Sequence, residues 1–129
     1  TDHRGKVVIV EIMRTDCAHC KAFSSVLQEI AVKYAGRVQV FAIVNPPDTL
    51  ESVNAYVAAN KLTFPLLFDC GQAAMAYVRT GTVAIPRVFI IDRNGLIRED
   101  VSYDPKGSNS AFFEKRGIFA ALDRVLALK

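Results

Sequence analysis

Apolar residues along this chain form short continuous runs and helical spacings that polar residues and glycines separate. Residues 6–13 form a mostly apolar run that is rich in β-branched side chains and that one acid, Glu11, interrupts, which predicts a strand buried on both faces. After residue 17, apolar residues recur at the spacing of one helix face, and Gly36 is the predicted end of that helix. The residues on this face are Phe23, Val26, Leu27, Ile30, Ala31 and Tyr34.

The same patterns predict the remaining elements. Strands are predicted over residues 37–44, 64–69, 88–92 and 96–101, and helices over residues 50–60, 72–79 and 112–126. Asn94-Gly95 predicts a hairpin turn, because this pair tolerates positive φ. The order predicts one α/β domain over residues 1–129 with three layers, in which helices flank a central mixed sheet of about four to five strands. Strands that helices separate are expected to be joined by parallel crossovers.

Composition and charge narrow the class of protein. The chain has 129 residues, of which 51% are apolar and 22% charged, as in an ordinary globular domain. The net charge is only +3 and the basic residues form no run, so nucleic acid is not a predicted partner. No apolar stretch approaches the roughly 18 residues of a membrane span. Because the chain starts at Thr1, we expect a mature form or an excised domain, and an anchor outside this sequence stays open.

The residues with the most reactive chemistry are Cys17 and Cys20, at the predicted start of the first helix. Two cysteines at this spacing lie within disulfide reach, and a helix N-terminus favours a thiolate. The apolar helix face, extended backward, reaches Cys20, so Cys20 is predicted to be buried and Cys17 to lie near solvent. This pattern assigns Cys17 as the attacking thiol and Cys20 as the resolving thiol of a redox-active disulfide. The alternative is a structural or zinc-binding pair.

Three ionisable residues lie close to this motif in the sequence. Glu11 interrupts the first predicted strand, where a buried acid is costly unless it has a function, and desolvation would raise its pKa toward that of a general base. The alternative is that Glu11 reaches the surface or pairs with a lysine. His19 lies between the cysteines, where an imidazolium would stabilise the Cys17 thiolate and make the disulfide more oxidising, unless it is merely exposed. Asp16 is expected to destabilise the Cys17 thiolate by like-charge repulsion, which is opposite to the effect of His19.

Two segments of the chain resemble the signatures of the thioredoxin superfamily. The first is Gly5-Lys6, the strand after it and Cys17-Ala18-His19-Cys20-Lys21. The second is residues 83–95, with Ile85-Pro86 before a strand and a turn. The segment between the second strand and Phe64-Pro65 is similar to the TlpA/ResA-like branch of thiol-disulfide oxidoreductases. The resemblance implies a thioredoxin-like fold and an enzyme that exchanges its dithiol with substrate proteins, although Asp16 stands where the family has Trp.

The resemblance also implies roles for individual residues. Pro86 is expected to be a cis-proline facing the cysteines, and Ile85, Pro86 and Ala18 are expected to contact an extended substrate segment. Glu11 is expected to accept the proton of Cys20. The resemblance implies an upstream redox partner and an extracytoplasmic or periplasmic location, with a cytoplasmic location as the alternative, and we expect a monomer with no cofactor and no metal.

Asp48 and Cys70 each have two interpretations. In the TlpA/ResA-like branch an acid often lies near the active site at the position of Asp48. Asp48 also fits a helix N-cap, with Glu51 completing a capping-box variant, and capping is the preferred interpretation. Cys70 is expected to be a small residue at a helix start, with a second resolving thiol as the alternative.

Three other functions compete with thiol-disulfide exchange. A metal-binding module would use Cys17, His19, Cys20 or Cys70 to bind zinc or copper. A peroxiredoxin would need Pro-x-x-x-Thr-x-x-Cys, but here Thr15 is two residues before Cys17 and no proline precedes it. A redox-inert scaffold has no evident use for two cysteines at a helix start.

Overall fold

The computed structural model of the chain describes residues 5–44, 48–68 and 85–128. Cys70 and the helix predicted over residues 72–79 lie outside this part. Within the described ranges, no helix is long and apolar enough to cross a bilayer. The strands there are β1 (Val7–Met13), β2 (Val38–Val44), β3 (Leu66–Phe68), β4 (Arg87–Ile91) and β5 (Ile97–Ser102); the helices are α1 (Ala18–Lys33), α2 (Leu50–Asn60) and α3 (Lys115–Leu126), with one 3-10 turn at Ser110–Phe113.

The five strands form one mixed sheet in the order β3-β2-β1-β4-β5. The predicted parallel crossovers are found where β2 pairs with β1 and with β3. The prediction is wrong for β4, which runs antiparallel to β1, with Val8 opposite Ile91 and Ile12 opposite Arg87. A connection that contains a helix can return the chain to either end of a sheet, so local pattern does not decide strand direction. Strand β1 is therefore central, with a neighbour on each side.

The core lies between one face of the sheet and the helices. Side chains alternate between the two faces of a strand, and every second residue of β1 from Val7 to Met13 is fully buried. The apolar face predicted for α1 is also confirmed in the main, since Phe23, Leu27 and Ile30 are buried. Because α1 starts directly after the short connection from β1, this packing brings the motif to the end of the central strand.

The C-terminal helix begins later than predicted. Phe113 lies on the 3-10 turn, and Glu114 has extended backbone angles (φ −86°, ψ 157°) that separate this turn from α3. A Cβ atom on Gly117 would lie 2.0 Å from the carbonyl oxygen of Ala111. Gly117 therefore lets the turn pack closely against the first turn of α3, a role that its low helix propensity does not reveal.

The N-terminus of α2 also differs from the prediction. Thr49, not Asp48, is the N-cap, and it forms a capping box with Ser52. In this box the Thr49 side chain accepts from the Ser52 N–H (3.1 Å) and the Ser52 hydroxyl accepts from the Thr49 N–H (2.9 Å). The prediction of Asp48 as the cap is wrong by one residue, and the Asp48 carboxylate is directed elsewhere.

The turn between β4 and β5 follows the prediction. Gly95 has φ 84°, and its N–H donates to the carbonyl of Asp92 (3.0 Å). The Asp92 carboxylate adds hydrogen bonds from the N–H groups of Asn94 (2.9 Å) and Leu96 (3.0 Å). These bonds fix the hairpin that follows the Ile85-Pro86 segment.

Candidate active site

Cys17 is the N-cap residue of α1. Its backbone is extended (φ −101°, ψ 116°), and its Sγ accepts a hydrogen bond from the Cys20 N–H at 3.2 Å. The sulfur thus occupies the place that a serine or aspartate oxygen usually takes at a helix start. The free N–H groups and the positive end of the helix dipole favour negative charge there. The sulfur of Cys17 therefore lies at the end of the helix where its free N–H groups are directed.

Cys20 has the opposite environment. It is fully buried, whereas Cys17 is half-buried, and both are free thiols. Burial raises the pKa of the Cys20 thiol well above its ordinary value, and the hydrogen bond with the Cys17 side chain and the charge of Glu11 act in the same direction. The burial predicted for the two cysteines is confirmed. Cys20 must therefore lose a proton before it can act as a nucleophile.

Glu11 is buried in the centre of the sheet, where it lies opposite Ala42 on one side and Val88 on the other. Its exposure is 0%, and neither carboxylate oxygen has a hydrogen-bond partner among the described residues. Burial raises the pKa of Glu11 well above its ordinary 4.5. The alternative in which this side chain reaches the surface or pairs with a lysine is therefore wrong for the described structure.

A hydroxyl pair that the sequence prediction missed lies behind Cys20. The Ser24 hydroxyl donates to the carbonyl oxygen of Cys20 (2.9 Å), and it lies 2.6 Å from the Tyr56 hydroxyl. Because the single Ser24 proton is directed at Cys20, the Tyr56 hydroxyl is the donor in this contact. Burial, together with the charges of Glu11 and the two cysteines, raises the pKa of Tyr56 to about 12. The sequence does contain an indication of this hydroxyl pair, because Ser24 is a polar residue on the buried face of α1.

A second contact joins the start of α2 to the segment before the motif. The Asp48 carboxylate accepts from the N–H of Thr15 (2.8 Å), from the Thr15 hydroxyl, and from the Ser52 hydroxyl (2.8 Å). Partial burial acts to raise the pKa of Asp48, but these hydrogen bonds and the charge of Arg14 together hold it below its ordinary 3.8. Ionised Asp48 therefore fixes Thr15, which is two residues before Cys17.

Asp16, the residue that replaces the family's tryptophan, forms an ion pair with Arg14 at 2.6 Å. Its side chain is 59% exposed, so the pair contributes little to stability. The Arg14 guanidinium nevertheless places a positive charge against the carboxylate next to Cys17. This pairing weakens the like-charge repulsion that the sequence alone predicts for the thiolate.

The Ile85-Pro86 segment and the motif are linked through Tyr103. The Ile85–Pro86 peptide bond is cis, and Pro86 is buried. The Pro86 carbonyl accepts a hydrogen bond from the Tyr103 N–H (2.9 Å), and the Tyr103 ring stacks on His19 with their centroids 4.2 Å apart. Ala18 and His19 are both exposed at the start of α1. The predicted substrate-contacting residues thus lie on two segments that Tyr103 connects.

The metal-binding alternative finds no site in the described residues. Among residues 5–44, 48–68 and 85–128, no three His, Cys, Asp or Glu side chains are grouped as a metal site requires. Cys70, which that alternative would use, lies outside this part.

Known proteins resemble the chain in sequence. Residues 1–100 match the AhpC/TSA family. Thiol-disulfide oxidoreductase ResA from Geobacillus thermodenitrificans is 28% identical over 103 residues, which cover 79% of this chain and 58% of ResA. Thioredoxin-like protein YneN from Bacillus subtilis is 25% identical over 100 residues, which cover 76% of this chain and 57% of YneN. The chain therefore spans less than two thirds of the length of these curated relatives.

A solved structure supports the fold. The thiol:disulfide interchange protein of the thioredoxin family from Chlorobium tepidum superimposes with a TM-score of 0.81 at 17% identity, over 98% of this chain and 83% of that one. This likeness shows the fold alone, and it confirms the predicted thioredoxin-like architecture. The match over residues 1–100 shows that the chain belongs to the AhpC/TSA family.

Proposed function

We propose that the chain is a thiol-disulfide oxidoreductase whose redox centre is the Cys17–Cys20 pair. The observation that carries this proposal is the Sγ atom of Cys17 at the N-terminus of α1, with a buried second thiol one turn behind it. The first thiol lies where a thiolate is stabilised and where a substrate can reach it. The name of the relative ResA, a thiol-disulfide oxidoreductase, supports the same activity for this chain.

The reaction begins at Cys17. Its thiolate attacks one sulfur of a substrate disulfide, a mixed disulfide forms, and the first substrate thiolate leaves and takes up a proton. The Cys20 thiol then transfers its proton to ionised Glu11. The Cys20 thiolate attacks the Cys17 sulfur, the bond from Cys17 to the substrate breaks, and the second substrate thiolate is released. Two electrons have passed to the substrate, and the Cys17–Cys20 disulfide remains.

Glu11 suits either direction of this reaction. An acid whose pKa burial raises takes a proton and returns it near neutral pH more readily than an exposed carboxylate does. In the forward direction Glu11 takes the proton of Cys20; in the reverse direction it returns that proton when a substrate dithiol reduces the disulfide. Neither buried oxygen of Glu11 has a hydrogen-bond partner among the described residues. Both oxygens are therefore available to take up or return the proton.

The substrate and setting belong to the same proposal. An extended substrate segment binds along Ile85-Pro86 by backbone contacts, as in other peptide-binding sheet edges, and touches Ala18. We further propose that the substrates are proteins with thiols or disulfides and that an upstream redox partner exchanges electrons with the Cys17–Cys20 pair. The proposed location is extracytoplasmic or periplasmic. We also propose that residues 1–129 form one domain that acts as a monomer.

The proposal is tested with a disulfide-bonded protein substrate and dithiothreitol as the electron donor. We expect Cys17→Ser to abolish catalysed reduction, because no nucleophile remains. We expect Cys20→Ser to accumulate the mixed disulfide on Cys17, which intact-mass measurement detects. Full activity of Cys17→Ser would overturn the proposal. Consumption of hydrogen peroxide faster than disulfide reduction would favour the peroxiredoxin alternative.

A further inference from the structure

His19, one of the two exposed residues between the cysteines, contacts a residue from a distant part of the chain. The ring of His19 lies on the ring of Tyr103, with 4.2 Å between centroids and 25° between planes. This is the geometry of a stacked pair. His19 is exposed and Tyr103 is half-buried. A histidine at an exposed helix start has many rotamers, so this contact selects one orientation among them.

Tyr103 is held in place independently of His19. Its N–H donates to the Pro86 carbonyl (2.9 Å), and its ring meets the edge of Phe113 (centroids 5.4 Å apart, 68°). Phe113 in turn meets the edge of Phe23 (5.1 Å, 73°), which is fully buried one turn after His19 on α1. The four rings form a row from His19 through Tyr103 and Phe113 to Phe23, which is anchored in the core. Tyr103 therefore orients His19, and not the reverse.

We propose that Tyr103 is a positioning residue that holds the His19 imidazole in one orientation between the two cysteine positions of the motif and joins it to the Pro86 segment. This inference rests on the proposed thiol-disulfide exchange. The face of a phenol ring attracts a cation, so the stack also holds a charged His19 in this orientation. An imidazolium two residues after Cys17 stabilises the thiolate, and with it the dithiol form relative to the disulfide. Tyr103 thus places an aromatic ring against the motif from a distant segment, whereas Asp16 occupies the position before Cys17 where the family has Trp.

The test measures the equilibrium constant between dithiol and disulfide against a glutathione buffer. We expect Tyr103→Leu to shift this constant about three- to tenfold toward the disulfide, or about 14–30 mV for a two-electron couple. Tyr103→Phe keeps the ring and is expected to stay within about twofold of the wild type. Phe112→Leu is the matched control, because Phe112 also packs against Phe113 (5.3 Å) but is not part of the His19 stack; we expect no shift.

His19→Ala provides the second measurement, because His19 is exposed and its loss leaves the core intact. We expect the same direction of shift as for Tyr103→Leu, and we expect Tyr103→Leu to add less than about twofold in the His19→Ala background, as coupling through one contact requires. The inference is overturned if His19→Ala leaves the constant unchanged, or if Tyr103→Leu acts equally with and without His19. A wild-type chain that exchanges no disulfides would instead refute the proposed function.

Discussion

The two cysteines of the motif are one helical turn apart, yet their surroundings differ in nearly every respect. Cys17 is half-buried, caps a helix and adjoins the charged or polar residues Asp16 and His19. Cys20 is buried against Glu11 and the Ser24–Tyr56 hydroxyl pair. The two thiol groups therefore have the same chemistry but different surroundings, which suit the proposed roles of Cys17 as attacking thiol and Cys20 as resolving thiol. The surroundings that the fold packs against each sulfur, and not the spacing of the two cysteines, therefore distinguish the one thiol from the other.

The strongest test of this difference is Glu11→Gln, which keeps the shape of the side chain and removes its proton exchange. We expect the release of substrate from a mixed disulfide on Cys17 to slow by about 100-fold, within the range that general acid-base groups contribute. Stopped-flow measurement of that release provides the rate. Alkylation of Cys17 by iodoacetamide is the control and is expected to change by less than about twofold. Equal release rates in the two proteins would remove Glu11 from the mechanism.

Glu11 is also expected to make the free energy of unfolding depend on pH. Because burial raises the pKa of Glu11 above 4.5, the folded chain binds more protons than the unfolded chain between 4.5 and the raised value. The free energy of unfolding therefore falls as pH rises through this window, by up to about 1.4 kcal/mol per pH unit. Urea denaturation of wild type and Glu11→Gln from pH 4 to 8 measures the difference. A difference that is independent of pH would show that Glu11 titrates normally in the fold.

A smaller effect is expected where Asp48 fixes the segment before Cys17. Thr15→Val removes the hydroxyl that donates to the Asp48 carboxylate but keeps the side-chain shape. We expect the free energy of unfolding to fall by about 1.5 kcal/mol, the low end for a hydrogen bond to a charged group, because the Asp48 carboxylate keeps its other donors. Thr15→Ser keeps the donor and is expected to lose less than half of that amount. Denaturation at pH 7 compares the three proteins, and an equal loss in both variants would assign the effect to the methyl group.

The smallest effect is expected for Asp16→Asn on the exposed side of the motif. Arg14 already pairs with the carboxylate, so removing its charge changes the field at Cys17 only slightly. We expect the thiol-disulfide equilibrium constant to change by less than about twofold. Measurement against glutathione at low salt, where surface charges act most strongly, is the most sensitive check. A shift of tenfold would mean that Asp16, and not the helix N-terminus, dominates at Cys17.

Local pattern predicted those parts of the site whose geometry depends on neighbours in sequence. The apolar run before the motif is β1, the helical spacing after it is the buried face of α1, and this face correctly predicted that Cys20 is buried. It also predicted the Asn94-Gly95 hairpin. Element ends were less predictable: the cap of α2 is Thr49 and not Asp48, and α3 begins at Lys115. Propensity differs little between neighbouring residues there, so packing decides where each helix starts.

The sequence by itself determined the dithiol, its place at a helix start and the buried acid six residues before Cys17. Only the tertiary structure decided what surrounds them. Asp48 reaches Thr15 and Tyr56 reaches Ser24 across separations of 33 and 32 residues, and Tyr103 reaches His19 from beyond the hairpin. The first two contacts follow from the parallel pairing of β1 with β2, and the third follows from the antiparallel β4 and its hairpin to β5. Periodicity is a property of adjacent residues, whereas strand order depends on the free energy of the whole packed sheet.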